Sequence, residues 1–352
     1  MQRFGIVLLI SSLLLAAQVK KPVPSANGIE VPLGLLPIAW PRNNPYTPAK
    51  EELGRFLYFD PRLSADDTMS CATCHNPKFA FGDGEPNSIG IHGQRGTRSA
   101  PTIFNRAYSL AQFWDGRAGT LEDQAKGPMA NPIEMGSTLD AVVQRVKAIP
   151  GYQPLFEKAF GPGEITIEHA ARAIATFERT ILSGNSPYDR YSAGNRKAMT
   201  AAAIRGKSVF FDKAKCDKCH DGMNFTTNDF HNLGVGMDKP NPDLGRFLVT
   251  KDSKDWGAFK TPTLREIAST APYMHDGSLK TLEEVIELYD KGGIANPNLD
   301  REMKPLKLTP QQKHDWWNSS ARSAATAGRR SRHPFNCRNN RAGERRQHAT
   351  IE

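Results

Sequence analysis

The residues whose types and spacing carry the most chemistry are Cys71-Ala72-Thr73-Cys74-His75 and Cys216-Asp217-Lys218-Cys219-His220. Two cysteines two residues apart, with His directly after the second, form the attachment signature for covalent haem. Each thiol adds across one vinyl group of the porphyrin. The His beside the second thioether is then held under the iron as an axial ligand. A disulfide, a zinc site or a redox dithiol would use the same cysteines. A His fixed at the same place twice argues against all three. Of five cysteines only Cys337 is left over, so no disulfide framework is available and Cys337 reads as a free thiol. The chain is expected to hold two covalent c-type haems. Cys71, Cys74, Cys216 and Cys219 are the tethers, and His75 and His220 the proximal iron ligands.

A haem with two strong axial ligands passes electrons. Cleaving a peroxide O–O bond asks for more: an iron with an openable position, an acid/base group that moves a proton between the two oxygens, and a second site that supplies the second electron. Glu134 is the best carboxylate for the proton, because it sits in the apolar, Pro-flanked stretch Asn131-Pro132-Ile133-Glu134-Met135. On pattern alone a solvated surface Glu fits that position too. Trp114, in Phe113-Trp114-Asp115-Gly116-Arg117, is placed to relay electrons, with a packed core aromatic as the plainer reading. His92 lies among Gly90, Gly93 and Gly96. It is either a ligand that binds and leaves the first iron or an exposed loop residue.

The elements that must position these groups are mainly helical. Glu51 to Tyr58, Leu139 to Ile149 and Thr166 to Ile181 carry apolar residues at helical spacing, with Asp60-Pro61 ending the first. Leu121 to Ala125 reads as a helix stopped by Gly127-Pro128. Ala201 to Phe211 leads into the second haem motif as the first helix leads into the first. Thr281-Leu282-Glu283-Glu284 opens a capping-box helix that Gly292-Gly293 closes, and Tyr289 falls on its apolar face with Leu282, Val285 and Ile286. The expected fold is mainly α, as two cytochrome c-like haem domains with long loops. Residues 1–17 read as a signal peptide, from Arg3, the apolar run Gly5 to Leu15 and Ala16-Ala17. That run is short for a membrane span. It sends the chain to the periplasm, where covalent haem is attached. Residues 18–45 read as an irregular leader, 46–184 as the first haem domain and 185–314 as the second.

The formal charge of +9 is concentrated at one end. From Lys313 onward nine Lys/Arg and three Asp/Glu give +6, leaving +3 elsewhere. With no aromatic-interleaved basic patch, the charge is no evidence for nucleic-acid binding. After Lys313 the helical pattern breaks into Trp316-Trp317-Asn318-Ser319-Ser320 and an Arg-rich run. Residues 315–352 are therefore expected to be a basic tail of low order from about residue 318. It reads either as natural or as the product of a frame shift near Asp315 that removed a closing helix.

The chain resembles the bacterial di-haem cytochrome c peroxidase family, which includes the MauG-type enzymes. The resemblance runs roughly from residue 45 to 312. It rests on both haem motifs, Arg98-Ser99-Ala100-Pro101-Thr102, Phe113 to Ala118, Asn131 to Met135, Leu244-Gly245-Arg246-Phe247 and Ala271-Pro272-Tyr273-Met274-His275-Asp276-Gly277. It implies that His75 serves the peroxidatic haem and His220 the electron-transferring one. It makes Glu134 the catalytic acid/base, sets Pro128 near the distal pocket and puts Trp114 between the haems. His92 falls within one residue of a loop His that ligates the resting peroxidatic iron in many relatives. Tyr289 stands where typical peroxidases have a Met ligand and MauG-type members a Tyr. A phenolate is a hard anionic ligand that lowers the potential relative to a thioether. Met303 is a rival ligand outside that helix. The resemblance also implies a Ca²⁺ ion at Thr270 and Pro272, with Ser99 where the family usually has Asn, a weaker side-chain ligand.

Three functions follow as expectations. The first is a peroxidase that reduces hydrogen peroxide with electrons from a small redox protein. The second is a MauG-type enzyme that oxidises a protein side chain through a high-valent di-haem state. The third is a non-catalytic di-haem electron carrier. A homodimer is compatible with each.

Overall fold

A computed structural model describes residues 23–24 and 28–324; the expected signal peptide and Cys337 lie outside them. Eleven α-helical segments appear in the described residues: α1 (Pro48–Phe59), α2 (Cys71–Cys74), α3 (Leu121–Ala130), α4 (Leu139–Ala148), α5 (Tyr152–Phe160), α6 (Ile167–Arg179), α7 (Pro187–Ser192), α8 (Ala201–Ser208), α9 (Phe247–Thr250), α10 (Leu282–Lys291) and α11 (Pro310–Ala324). Strand is confined to two-residue pairs, such as Phe230–His231 antiparallel to Phe259–Lys260. The structure is thus mainly helical, as expected. Among the described residues no helix is long and apolar enough to cross a membrane.

Short polar residues begin the helices by satisfying their free N–H groups. Thr47, Thr120, Thr138, Thr166, Thr200 and Thr281 each accept from a backbone N–H in the first turn. The larger core joins α1, α3, α4, α5 and α6 through Leu53, Leu57, Met129, Val142, Phe156 and Ile174. Gly54 lets α1 and α6 touch: a Cβ there would stand 1.9 Å from the carbonyl oxygen of Ala173. The smaller core gathers Val209, Phe210, Ile286, Leu308 and Trp316. It has the same device, since a Cβ on Gly206 of α8 would stand 2.0 Å from the carbonyl oxygen of Asp315 on α11.

Two expectations are corrected. Gly127-Pro128 does not end α3, which runs on to Ala130. Pro128 sits in the last turn, where its missing N–H costs one bond, and its carbonyl accepts from the N–H groups of Asn131 and Met135. The break expected after Lys313 is not seen either: α11 continues to Ala324. Its polar residues are bound by tertiary partners that no helical periodicity reveals. The Asp315 carboxylate takes two bonds from Arg205, each 2.8 Å. Lys313 bridges Glu287 and Asp290, and Trp316 is buried beside Tyr289. The chain as written therefore has a closing helix to Ala324, in place of the low order expected from about residue 318. The rest of the expected tail lies outside the described residues.

Candidate active site

The first haem motif is one tight turn. The N–H of His75 bonds the Cys71 carbonyl at 2.9 Å, and Tyr58 Oη donates to the His75 carbonyl at 2.7 Å. His75 Nδ1 lies 3.3 Å from the Phe81 carbonyl oxygen. Only a protonated Nδ1 bonds a carbonyl, so Nε2 keeps its lone pair for iron. The second motif repeats this, with His220 Nδ1 3.0 Å from the Phe225 carbonyl oxygen. Burial lowers the pKa of both imidazoles, His220 to about 4, which favours the neutral form that a metal would need. The thiols are buried too, and burial pushes Cys74 and Cys216 each up to about 12.

Glu134 lies close enough to the first pair of thiols for its charge to raise both of them. The turn from Asn131 to Gly136 holds it, hung from the Pro128 carbonyl. Asn131 Nδ2 donates to Glu134 Oε1 at 2.6 Å, leaving the other carboxylate oxygen to exchange a proton. Burial raises the Glu134 pKa more than Asn131 and the Arg117 charge lower it. The structure does not bring His92 into this group. Its side chain is 69% exposed and Nδ1 is 3.6 Å from the Asp66 carboxylate.

The second motif opens on a cavity of about 260 Å³ with a mostly apolar lining. Cys216, Cys219, His220 and Tyr289 line it, and Met303 also reaches it. Burial raises the Tyr289 phenol well above its usual pKa, so an ionised phenolate there needs a cation. Trp114, Ser99, Thr270 and Pro272 line the same cavity. Trp114 is fixed at both ends: Nε1 donates to the Ser99 carbonyl at 2.9 Å, and its own carbonyl accepts from the Lys260 N–H at 2.8 Å. The residues present fit two covalently tethered haems. Each site offers two cysteines, an imidazole with a free Nε2 and an apolar setting.

The two sites are built on one repeated segment. Residues 99–130 and 260–291 follow the same path at a constant offset of 161 residues. Asn105 and Glu266 both take φ 59°, and Phe113 and Met274 take 65° and 73°. Gln112 bridges Ala118 as Tyr273 bridges Leu279. Ten-residue helices α3 and α10 follow, capped by Thr120 and Thr281. In this register Pro128 corresponds to Tyr289, Trp114 to His275 and Ser99 to Lys260. The contacts are reciprocal: Ser99 N donates to the His275 carbonyl as Lys260 N donates to that of Trp114. Sequence reading saw two similar halves but missed this alignment, although Asp-Gly followed four residues later by Thr-Leu-Glu marks it in both copies. Lys260, Arg106, Glu178 and the half-buried His231–Asp300 pair, 2.6 Å apart, were missed as well.

A family model described as di-haem cytochrome c peroxidase matches residues 48–197. The methylamine utilization protein MauG of Methylorubrum extorquens is 45% identical over 278 residues, 78% of each chain. The chain belongs to the di-haem cytochrome c peroxidase family. Within this family, cytochrome c551 peroxidase of Pseudomonas aeruginosa is 38% identical over 271 residues, 75% of this chain and 77% of that one. The crystal structure of a MauG-like protein associated with microbial copper homeostasis superposes with a TM-score of 0.77 at 34% identity, covering 83% of this chain and 94% of that one. The diheme peroxidase BthA of Burkholderia thailandensis shares the fold, at TM-score 0.67 and 20% identity over 86% of this chain and 92% of that one. Membership brings two haems, and makes the chain an oxidoreductase of the peroxide-using kind.

Proposed function

We propose that the chain is an exported di-haem peroxidase of two cytochrome c-like units, reducing hydrogen peroxide at the first haem site with electrons entering through the second. The observation that carries this reading is the register of Pro128 with Tyr289. Tyr289 lines the second site's cavity and bears an atom that can bind iron, whereas Pro128 at the equivalent helix position bears none. A proline would leave the first site open to a small oxidant, and the phenol would close the second.

Each haem, bound through its cysteines, supplies a redox-active iron, and between them the two furnish the electrons that hydrogen peroxide needs. Reduction of H₂O₂ to two waters consumes two electrons and two protons. Glu134 serves the proton side. Burial favours its protonated form, and Asn131 fixes one oxygen so that the other faces the reactants. Trp114 serves the electron side, because it belongs to the first repeat yet lines the second cavity. The Trp114–Lys260 and Ser99–His275 backbone bonds hold that junction rigid. A calcium ion at Thr270, Pro272 and Ser99 would be held by neutral oxygens. Among the described residues no group of three His, Cys, Asp or Glu is arranged to hold a metal.

The experiment is peroxide turnover with a reduced small cytochrome as donor. Glu134→Gln should abolish turnover while both haems stay attached. Full activity in that variant would refute the assignment. A second reading, MauG-type oxidation of a protein side chain, is favoured by Tyr289 itself: a phenolate stabilises oxidised iron and suits storage of oxidising equivalents better than their rapid discharge. A peroxide titration followed by optical and EPR spectra separates the two. Slow decay in the absence of a protein partner supports the second reading, and rapid consumption of a reduced cytochrome the first.

A further inference from the structure

Between the two haem sites lie two buried cations with too little negative charge around them. Lys260 is 4% exposed and Arg106 is 9% exposed. Both line the second haem's cavity, and Lys260 feels the charge of Arg106. Among the described residues the Lys260 ammonium makes no hydrogen bond. Arg106 spends its Nε and one terminal nitrogen on neutral acceptors, the Gln112 side-chain oxygen and the Ala111 carbonyl. The carboxylate that offsets Arg106 is Glu178, whose pKa burial raises to about 7, so that it is only partly ionised at pH 7. Burial also drives the Lys260 pKa well below that of a free lysine. Buried charges persist when they are paired, so the cavity wants an anion at this end.

The repeat sharpens the point. Position 260 is occupied by Ser99 in the first copy, and position 106 by Ile267 in the second. Neither cation is required by the shared backbone path, and both project into the same space.

We infer that Lys260 and Arg106 form a dicationic seat for the carboxylates of the second haem, orienting its edge towards Trp114 and raising its reduction potential against the pull of Tyr289. The inference rests on the di-haem reading of the site. Both residues are positioning residues, and neither needs to touch peroxide. The seat explains how a phenol-ligated haem remains reducible enough to take part in electron delivery: a buried positive charge favours the reduced state, and a phenolate the oxidised one.

The test uses the holoprotein, with Lys260→Met and Lys260→Arg. Haem content is read as the pyridine haemochrome, potentials by spectroelectrochemical titration, and carboxylate bonding from the propionate bending band in resonance Raman. With two haems per chain throughout, Lys260→Met should lower the midpoint of the second haem, shift its propionate band and leave the first haem's midpoint less changed. Lys260→Arg should restore both signals. An unchanged midpoint and band in Lys260→Met overturns the seat while leaving the di-haem reading intact, and so does an equal loss in Lys260→Arg. Fewer than two haems in the unsubstituted protein would sink the di-haem reading and the seat together.

Discussion

The segments 99–130 and 260–291 share a backbone path and differ in the side chains they present. The first offers Ser99, Trp114 and Pro128; the second offers Lys260, His275 and Tyr289. The shared path sets where each residue falls, and the differences between the copies decide what it offers there. A position that offers a phenol to the second cavity offers a proline in the first copy. A position that holds an indole across the junction in one copy holds, in the other, an imidazole stacked on Phe259 with ring centroids 3.6 Å apart. Division of labour here needs no new fold, only unequal residues on a duplicated frame.

The comparison breaks most severely at Glu134, which has no counterpart in the second site. Glu134→Gln should cut peroxide turnover by about 10²–10⁴-fold, the usual worth of a positioned acid/base. Steady-state assays on haem-replete protein check this. Pro128→Tyr tests the register itself. If position 128 truly matches 289, the new phenol should close the first site, lowering the peroxide reaction rate by at least about 10-fold, near 1.4 kcal/mol. EPR should then show the loss of a weakly ligated first iron. An unaltered spectrum would remove the equivalence. Tyr289→Met should raise the potential of the second haem, as read by spectroelectrochemistry.

Stability offers a smaller test of the same symmetry. Gly54→Ala and Gly206→Ala each push a methyl into a backbone carbonyl. Overpacking of that kind costs roughly 1–3 kcal/mol, and denaturant melts should show both variants destabilised. Acid gives the mildest probe. Arg98 ties the halves together by pairing with Asp115 and Asp243 at 2.6 Å. Its hydrogen bonds and charge hold the Asp243 pKa below the ordinary carboxylate value, more than offsetting burial. A depressed folded-state pKa gives stability that is complete above the unfolded value of about 3.9 and fades as pH falls through the folded value. Thermal melts should therefore lose this contribution only in the acid range, and Asp243→Asn should flatten that part of the profile.

Much of this was legible from residues alone. The haem tethers announce themselves by spacing. Helices α1, α4, α6 and α10 were readable from their apolar period, and for α6 and α10 a Thr cap agreed with it. The carboxylate at 134 was readable because its flanks are apolar. What escaped had long-range causes. Asp315, Asn318 and Ser319 look like a polar tail, and their burial follows from Arg205 and α8, more than a hundred residues away in sequence for each. Lys260 looks like any strand lysine until the cavity beside it is known. Pro128 looks like a helix stop, yet in the last turn it costs little and its carbonyl supports the turn that carries Glu134.

The fit of α11 against α8 also sets an order in time. Every first-site residue discussed, Trp114 included, lies between Tyr58 and Glu178. The wall of the second cavity, in contrast, includes Trp316. A chain synthesised from its N-terminus holds all of the first-site residues before its second half has been made. That wall is finished only when the closing helix arrives. A truncated product would thus carry every first-site residue beside a second cavity that lacks part of its wall.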